Sequence, residues 1–143
     1  MKSRKDNGIY FITLSKGDYI NRSFEDVAKD NNIHSAWISG IGACKNPEVG
    51  YYSLIEKNYY RKVFKGEYEI ISLNANISIK DGNIFSHAHI TFSDSDYSVY
   101  GGHLFDAEII AAGEFVMFVG QKPIVRKLDK DIGLPLWSLE DKS

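Results

Sequence analysis

Residues 85–109 read FSHAHITFSDSDYSVYGGHLFDAEI and hold three of the four histidines of the chain, His87, His89 and His103. Apolar and polar residues alternate up to a polar SDSD break and resume after it, which predicts two antiparallel strands joined by a loop. On the first strand Phe85, His87, His89 and Thr91 share one face, and Ser86, Ala88, Ile90 and Phe92 share the other, the core face. Imidazoles at i and i+2 stand about 6–7 Å apart at Cα, near enough to share an ion. Zinc accepts such nitrogens and needs a third or fourth ligand.

His103 meets that need only in some registers. A three-residue loop, Asp94-Ser95-Asp96, places His103 opposite His87 on the same face. A four-residue loop turns it to the other face, and a bulge at Gly101-Gly102 turns it back. Glu69 on the strand before and Glu114 on the strand after are the further ligand candidates. Three readings stay open: a zinc or other divalent metal site on His87, His89 and His103; a polar small-ligand pocket drawing on Glu69, Gly101, Gly102 and Glu114; and a plain hairpin whose glycines serve a close backbone approach.

Outward from this segment the pattern is mostly β. GIYFITLSKGD (8–18) predicts a strand ended by a turn. SFEDVAKDNNI (23–33) predicts a helix with Ser23 as N-cap, Phe24, Val27 and Ala28 on one face, and Asn31-Asn32 as its stop. SAWISGIGACKN (35–46) is a short apolar strand running into glycines. VGYYSLIEKNYYRKVF (49–64) is a hairpin turning near Glu56-Lys57-Asn58, and YEIISLNANISIKDGN (68–83) is a long strand ending in an Asp-Gly hairpin turn. AEIIAAGEFVMFVG (107–120) is another strand, and the tail, with Pro123, Pro135 and Trp137, is an irregular segment packed on the sheet. Seven or eight strands with one main helix, joined by short turns, predict an α+β domain whose sheet is mainly antiparallel. No linker divides residues 1–143, and 1–7 and 138–143 are expected to be flexible ends.

At 143 residues with a formal net charge of −2, the chain fits one domain with an adequate core and lacks the basic surplus of a dedicated nucleic-acid binder. Arg61, Lys62 and Lys65 form the one inner basic cluster. Cys44 is the sole cysteine, so no intramolecular disulfide forms and a reducing compartment fits. The lack of an apolar span or of a signal segment after MKSRKDNG predicts a soluble, cytoplasmic protein. Gly40-Ile41-Gly42 lacks the third glycine and the acidic residue of a dinucleotide site, and Cys44 beside it is expected to be buried and inert. Asp94 and Asp96 belong to a solvated turn, and no triad partner is identifiable for Ser72 or Ser98.

GGHLFDAEI after HAHITFSDSDYSVY, with SAWISGIGACKN and YEIISLNANIS upstream in that order, resembles the plant and prokaryote conserved (PPC) domain from about Tyr10 to Leu136. The resemblance implies a compact α/β-type domain, a homotrimer and a family label of DNA binding. Plant members contact protein partners through a Gly-Arg-Phe-Glu-Ile-Leu stretch; here Gly66-Glu67-Tyr68-Glu69-Ile70-Ile71 keeps the glutamate and replaces the arginine. Their DNA-binding Arg-Gly-Arg-Pro arm has no counterpart in KSRKDNG. The functions in competition are a trimeric binding or regulatory module with a histidine-lined metal or small-ligand site, a DNA-binding protein acting through the trimer surface, and a metal-dependent enzyme, for which no general base beyond Glu69 or Glu114 is assignable.

Overall fold

The computed structural model describes residues 1–139. In chain order these form β1 (Lys2–Asp6), β2 (Ile9–Ser15), α1 (Ile20–Asp30), β3 (Ala36–Ser53), β4 (Asn58–Val63), β5 (Glu67–Lys80), β6 (Asn83–Ser93), β7 (Val99–Val119), β8 (Val125–Asp129) and β9 (Leu134–Ser138). Nine strands and one helix thus replace the seven or eight strands expected. β1 occupies the end expected to be flexible: Asn7 and Gly8 both take positive φ, 45° and 82°, which makes a tight turn and returns the chain along β2. β8 and β9 pair as a hairpin where an irregular tail was expected. Residues 140–143 of the other expected flexible end lie outside the described residues, while Ser138 ends β9.

β3 and β7 are 18 and 21 residues long, well beyond the usual 3–10. They pair with each other throughout, and each exchanges its second neighbour midway. β3 holds β5 along Ala36–Lys45 and β4 along Glu48–Ser53. β7 holds β6 along Val99–Leu104 and β2 along Ala112–Phe118. β5 also pairs with β6, so β3, β5, β6 and β7 close a circuit of ladders. Register shifts near Gly40/Gly42 and Lys45/Glu48 bend the long strands enough to close it. A Cβ at Gly40 would lie 2.2 Å from the Glu114 carbonyl oxygen, so this close crossing admits only glycine. All named pairs are antiparallel except one parallel contact, Ile79 with Val125.

The interior holds alternate residues of each strand, among them Ile12, Leu14, Ile38, Leu73, Ile77, Phe92, Leu104 and Met117. Ala88, Ile90 and Phe92 are buried, as the alternation of β6 predicted. Cys44 is fully buried between Tyr68 of β5 and Ile109 of β7, and burial together with the nearby Glu69 carboxylate pushes its thiol up to about 12. That thiol is inert at neutral pH. Asp81 and Gly82 both have positive φ, which confirms the hairpin turn read from the Asp-Gly pair.

α1 begins at Ile20, three residues before the expected start, and Ser23 is a buried interior residue rather than the N-cap. The cap comes from β7: Asp106 Oδ1 accepts the Asn21 amide at 3.0 Å and the Ala107 amide at 2.9 Å. Asn21 then donates its side-chain amide to the Leu104 and Phe105 carbonyls at 3.0 and 2.9 Å, and accepts from Ser86 Oγ at 2.9 Å. The helix start therefore clamps β6 to β7. Ile20, Phe24, Val27 and Ala28 bury its apolar face, with Phe24 edge-on to Phe115 at 5.0 Å. Asp106→Ala removes the acceptor of two buried amides, and urea unfolding should show a loss of about 1–2 kcal/mol relative to wild type.

Candidate metal centre

The register of β6 against β7 is set by Asp94. Its amide donates to the Ser98 carbonyl at 3.1 Å, and its Oδ1 accepts the amides of Asp96 and Ser98, each at 3.0 Å. Tyr97, at φ 62°, donates its amide back to the Asp94 carbonyl. The loop is therefore five residues, 94–98, not three or four, and Ser93 pairs with Val99. An odd loop keeps His103 on the histidine face, but opposite His89 rather than His87.

No bulge is needed at the two glycines, where the β6–β7 ladder is continuous. Their role is space: a Cβ on Gly101 would stand 2.6 Å from the Ile90 carbonyl oxygen, and one on Gly102 would stand 3.0 Å from that of Gly50. At this point β7 lies between β6 and the far half of β3, and small residues permit the approach.

The three imidazoles converge. Their ring centroids lie 5.0–5.5 Å apart, and one nitrogen from each falls within 4.8 Å of the others. His87 and His103 are half-buried and His89 is exposed. His103 lies against Tyr59 of β4 at 4.9 Å and Phe105 at 5.0 Å, and its Nδ1 is buried without a hydrogen-bond partner. Three converging imidazoles, one of which also carries an unpartnered buried nitrogen, form a donor set that suits a borderline metal such as zinc. Burial is the largest cause that pushes His87 and His103 down to about 4, with the Arg126 guanidinium and the neighbouring histidines adding to it. His89 is lowered by burial as well. All three rings are neutral at pH 7, the form that coordinates metal.

One arginine braces the site. Arg126 of β8 donates from Nε to Ser78 Oγ at 2.8 Å, from Nη1 to the Pro135 carbonyl at 2.9 Å, and from Nη2 to Asn76 Oδ1 at 2.8 Å. Its Nη2 also lies 3.2 Å from His87 Nδ1. Beside the histidines is a cavity of about 280 Å³, with Arg126, Lys80, Tyr59, Phe105 and Leu136 among its walls. Sequence reasoning missed Arg126, Asn76 and this cavity. Only Trp137, which donates to Asn76 Oδ1 at 3.2 Å, marked the tail as packed.

Other expected residues lie elsewhere. Glu69 pairs with Ser93, five positions along β5 from Asn74, the partner of His89, and about 16 Å away at strand rise. Glu114 lies on the far half of β7, opposite Thr13. Both line a separate depression beside Ile41 and Ala112, so neither completes the histidine set. Arg61 and Lys62 are adjacent on β4 and face opposite ways. Arg61 stacks 3.6 Å over Phe105 and pairs with Glu48 at 2.8 Å, whereas Lys62 lies over Phe64. With Lys65 in the following loop they make no basic stripe.

The family model described as the Plants and Prokaryotes Conserved (PCC) domain matches residues 1–122. Among solved structures, a PPC protein from Pyrococcus horikoshii is 35% identical, with 96% of this chain and 93% of that one covered at a TM-score of 0.85. A metal-containing protein from Archaeoglobus fulgidus is 36% identical over 96% and 95% of the two chains, TM-score 0.84. A "putative DNA binding protein" from Bacteroides thetaiotaomicron is 31% identical over 96% of each chain, TM-score 0.91. No curated protein matches.

The depressed histidines make stability pH-dependent. The unfolded chain protonates them near 6.5 and the folded chain only near 4, so acid favours the unfolded state across that window. The thermal midpoint should fall as pH drops from about 6.5 towards 4. The slope of midpoint against pH should be shallower in His87→Asn, which has no imidazole to protonate; equal slopes would contradict the burial argument.

Proposed function

The chain belongs to the Plants and Prokaryotes Conserved domain family, and we propose that it is a metal-binding module whose ligands are His87, His89 and His103. The observation that carries this reading is a trio of neutral imidazoles, one nitrogen of each within 4.8 Å of the others, with the Nδ1 of His103 buried and unpartnered. Zinc is the first candidate, because imidazole suits it and the set contains no carboxylate. Three protein ligands leave a tetrahedral ion one position for water or a small molecule, which is how a binding site differs from a closed structural one. The metal-containing relative from Archaeoglobus fulgidus supports the assignment. Among the described residues the one carboxylate in the cavity beside the histidines, Glu25, is engaged by Lys29 and the Ser86 amide, which favours a binding or regulatory role over an enzyme.

The module acts as a homotrimer in the cytoplasm. Trp37 and Phe118 are register partners on neighbouring strands, each about half exposed, with Ile41 further along β3 and Phe11 on β2 beside β7. Apolar sheet surface of this kind calls for a partner, and a second and third copy supply it. A lone reduced thiol accords with that compartment, and among the described residues no helix is long and apolar enough to cross a membrane.

DNA binding is the second reading, carried by the name of the relative from Bacteroides. Net charge and the opposed Arg61 and Lys62 argue that duplex affinity is only non-specific, about 10⁻⁴ to 10⁻⁶ M. Anisotropy with AT-rich and mixed duplexes at physiological salt separates the two, since nanomolar, AT-selective binding would favour DNA.

Metal analysis after zinc loading and gel filtration should find about one zinc per protomer. His89→Ala and His103→Ala should lower that content severalfold. A wild-type chain that retains no zinc at pH 7 removes the metal reading. Sedimentation equilibrium should give a trimer at micromolar concentration, and a monomer there would end the assembly reading.

A further inference from the structure

We propose that the cavity beside the histidines is a carboxylate subsite whose anchor is Arg126, opened when metal takes His87. The proposal rests on the metal reading above and names the ligand class of that same site. Arg126 is half-buried and lies over the Phe85 ring, and its hydrogen-bonding partners among the described residues are all neutral: Ser78, Asn76, His87 and the Pro135 carbonyl. Among the described residues no carboxylate pairs with this half-buried guanidinium, and such a group calls for an anion. Lys80 adds a second positive charge to the cavity, and the one acid in its wall, Glu25, is already paired with Lys29 at 3.4 Å. Phe85, Phe105 and Leu136 give the cavity apolar wall, beside the polar Tyr59, Ser86 and the two histidines. At about 280 Å³ the cavity lies just below the ~300–1,000 Å³ of drug-sized sites, which suits a small organic acid with an apolar body. A planar guanidinium edge can meet a carboxylate with two parallel N–H donors, and the apolar wall favours an organic acid over inorganic phosphate.

Tautomer chemistry links the anion to the metal. A guanidinium has no acceptor, so in the Arg126–His87 contact Nδ1 of His87 accepts and Nε2 carries the proton. Metal bound at Nδ1 consumes that lone pair. Metal bound at Nε2 moves the proton to Nδ1, which then faces an Nη2 donor. In both cases the contact breaks, an N–H of Arg126 is released, and two cations are left side by side. A carboxylate between them satisfies both. Metal and carboxylate should therefore each tighten the binding of the other.

The test is calorimetric titration of zinc-loaded protein with benzoate, benzyl alcohol and inorganic phosphate. Benzoate should bind about tenfold or more tighter than its neutral isostere, and tighter than phosphate. Arg126→Gln should erase the preference, and Arg126→Lys, which keeps the charge and guards against loss of fold, should weaken it severalfold. Metal-free protein should bind benzoate about tenfold less well, still in an Arg126-dependent manner. Histidine ¹⁵N spectra of metal-free protein should place the His87 proton on Nε2 and lose that bias in Arg126→Gln. Equal affinity for benzoate and benzyl alcohol, indifference to Arg126→Gln, tighter phosphate binding or no effect of zinc on benzoate would each overturn the proposal. Metal content measured in parallel separates the two claims. A chain that takes up no zinc yet holds benzoate through Arg126 loses the metal reading and the coupling to it but keeps the Arg126 anchor, and a zinc-loaded chain indifferent to benzoate loses the subsite while the metal reading stands.

Discussion

β3 and β7 stay hydrogen-bonded to each other from Ala36 opposite Val119 to Gly50 opposite His103, and most of the architecture follows from that single ladder. Two strands so long cannot remain flat, because strand twist accumulates along them. The bulges near Gly42 and Glu48 convert the twist into bends. Each strand then offers its second edge to different partners in its two halves, and β5 and β6 close the circuit. The histidine site lies where the circuit shuts: β7 carries His103 between β6, with His87 and His89, and the glycine-bearing end of β3.

The closure is fastened by polar residues far apart in the chain. Asp106 caps α1 from β7 at the Asn21 amide, and the side chain of Asn21 itself ties Leu104 and Phe105 of β7 to Ser86 of β6. Asn21 is buried and Asp106 half-buried, and both are hydrogen-bonded, the condition under which polar groups make an interior specific rather than merely unstable. The strands that carry the three imidazoles are held from one side by this clamp and from the other by the Arg126 bridge to Asn76 and Ser78 of β5. A constellation held on strands and braced by neighbours is pre-organised for a ligand.

Local chemistry was legible in the amino-acid order. The face of His87 and His89, the buried run of Ala88, Ile90 and Phe92, and the Asp81-Gly82 turn all follow from strand alternation and turn residues. Asn7-Gly8 carried the same turn signal for β1, though the charged KSRKD beside it has no apolar alternation to reveal a strand. Distant pairings were not legible. A carboxylate 85 positions from the amide it caps leaves no mark near Ser23, and the five-residue loop depends on side-chain bonds of Asp94 that composition does not disclose. Arg126 lies in a tail without periodicity, and its partners Asn76, Ser78 and His87 belong to other strands. Glu69 and Glu114 were plausible by residue type and misplaced by register.

Cys44 sits at the bend where β3 leaves β5 and continues beside β7, walled in by the ladders on both sides. Because it is the sole thiol and wholly shielded, a reagent such as an iodoacetamide dye reaches it only through molecules whose barrel has parted. The labelling rate is thus a clock for opening of the central ladder itself, uncontaminated by fraying at β1 or β9. The molecule has a reporter of its own breathing built into its interior.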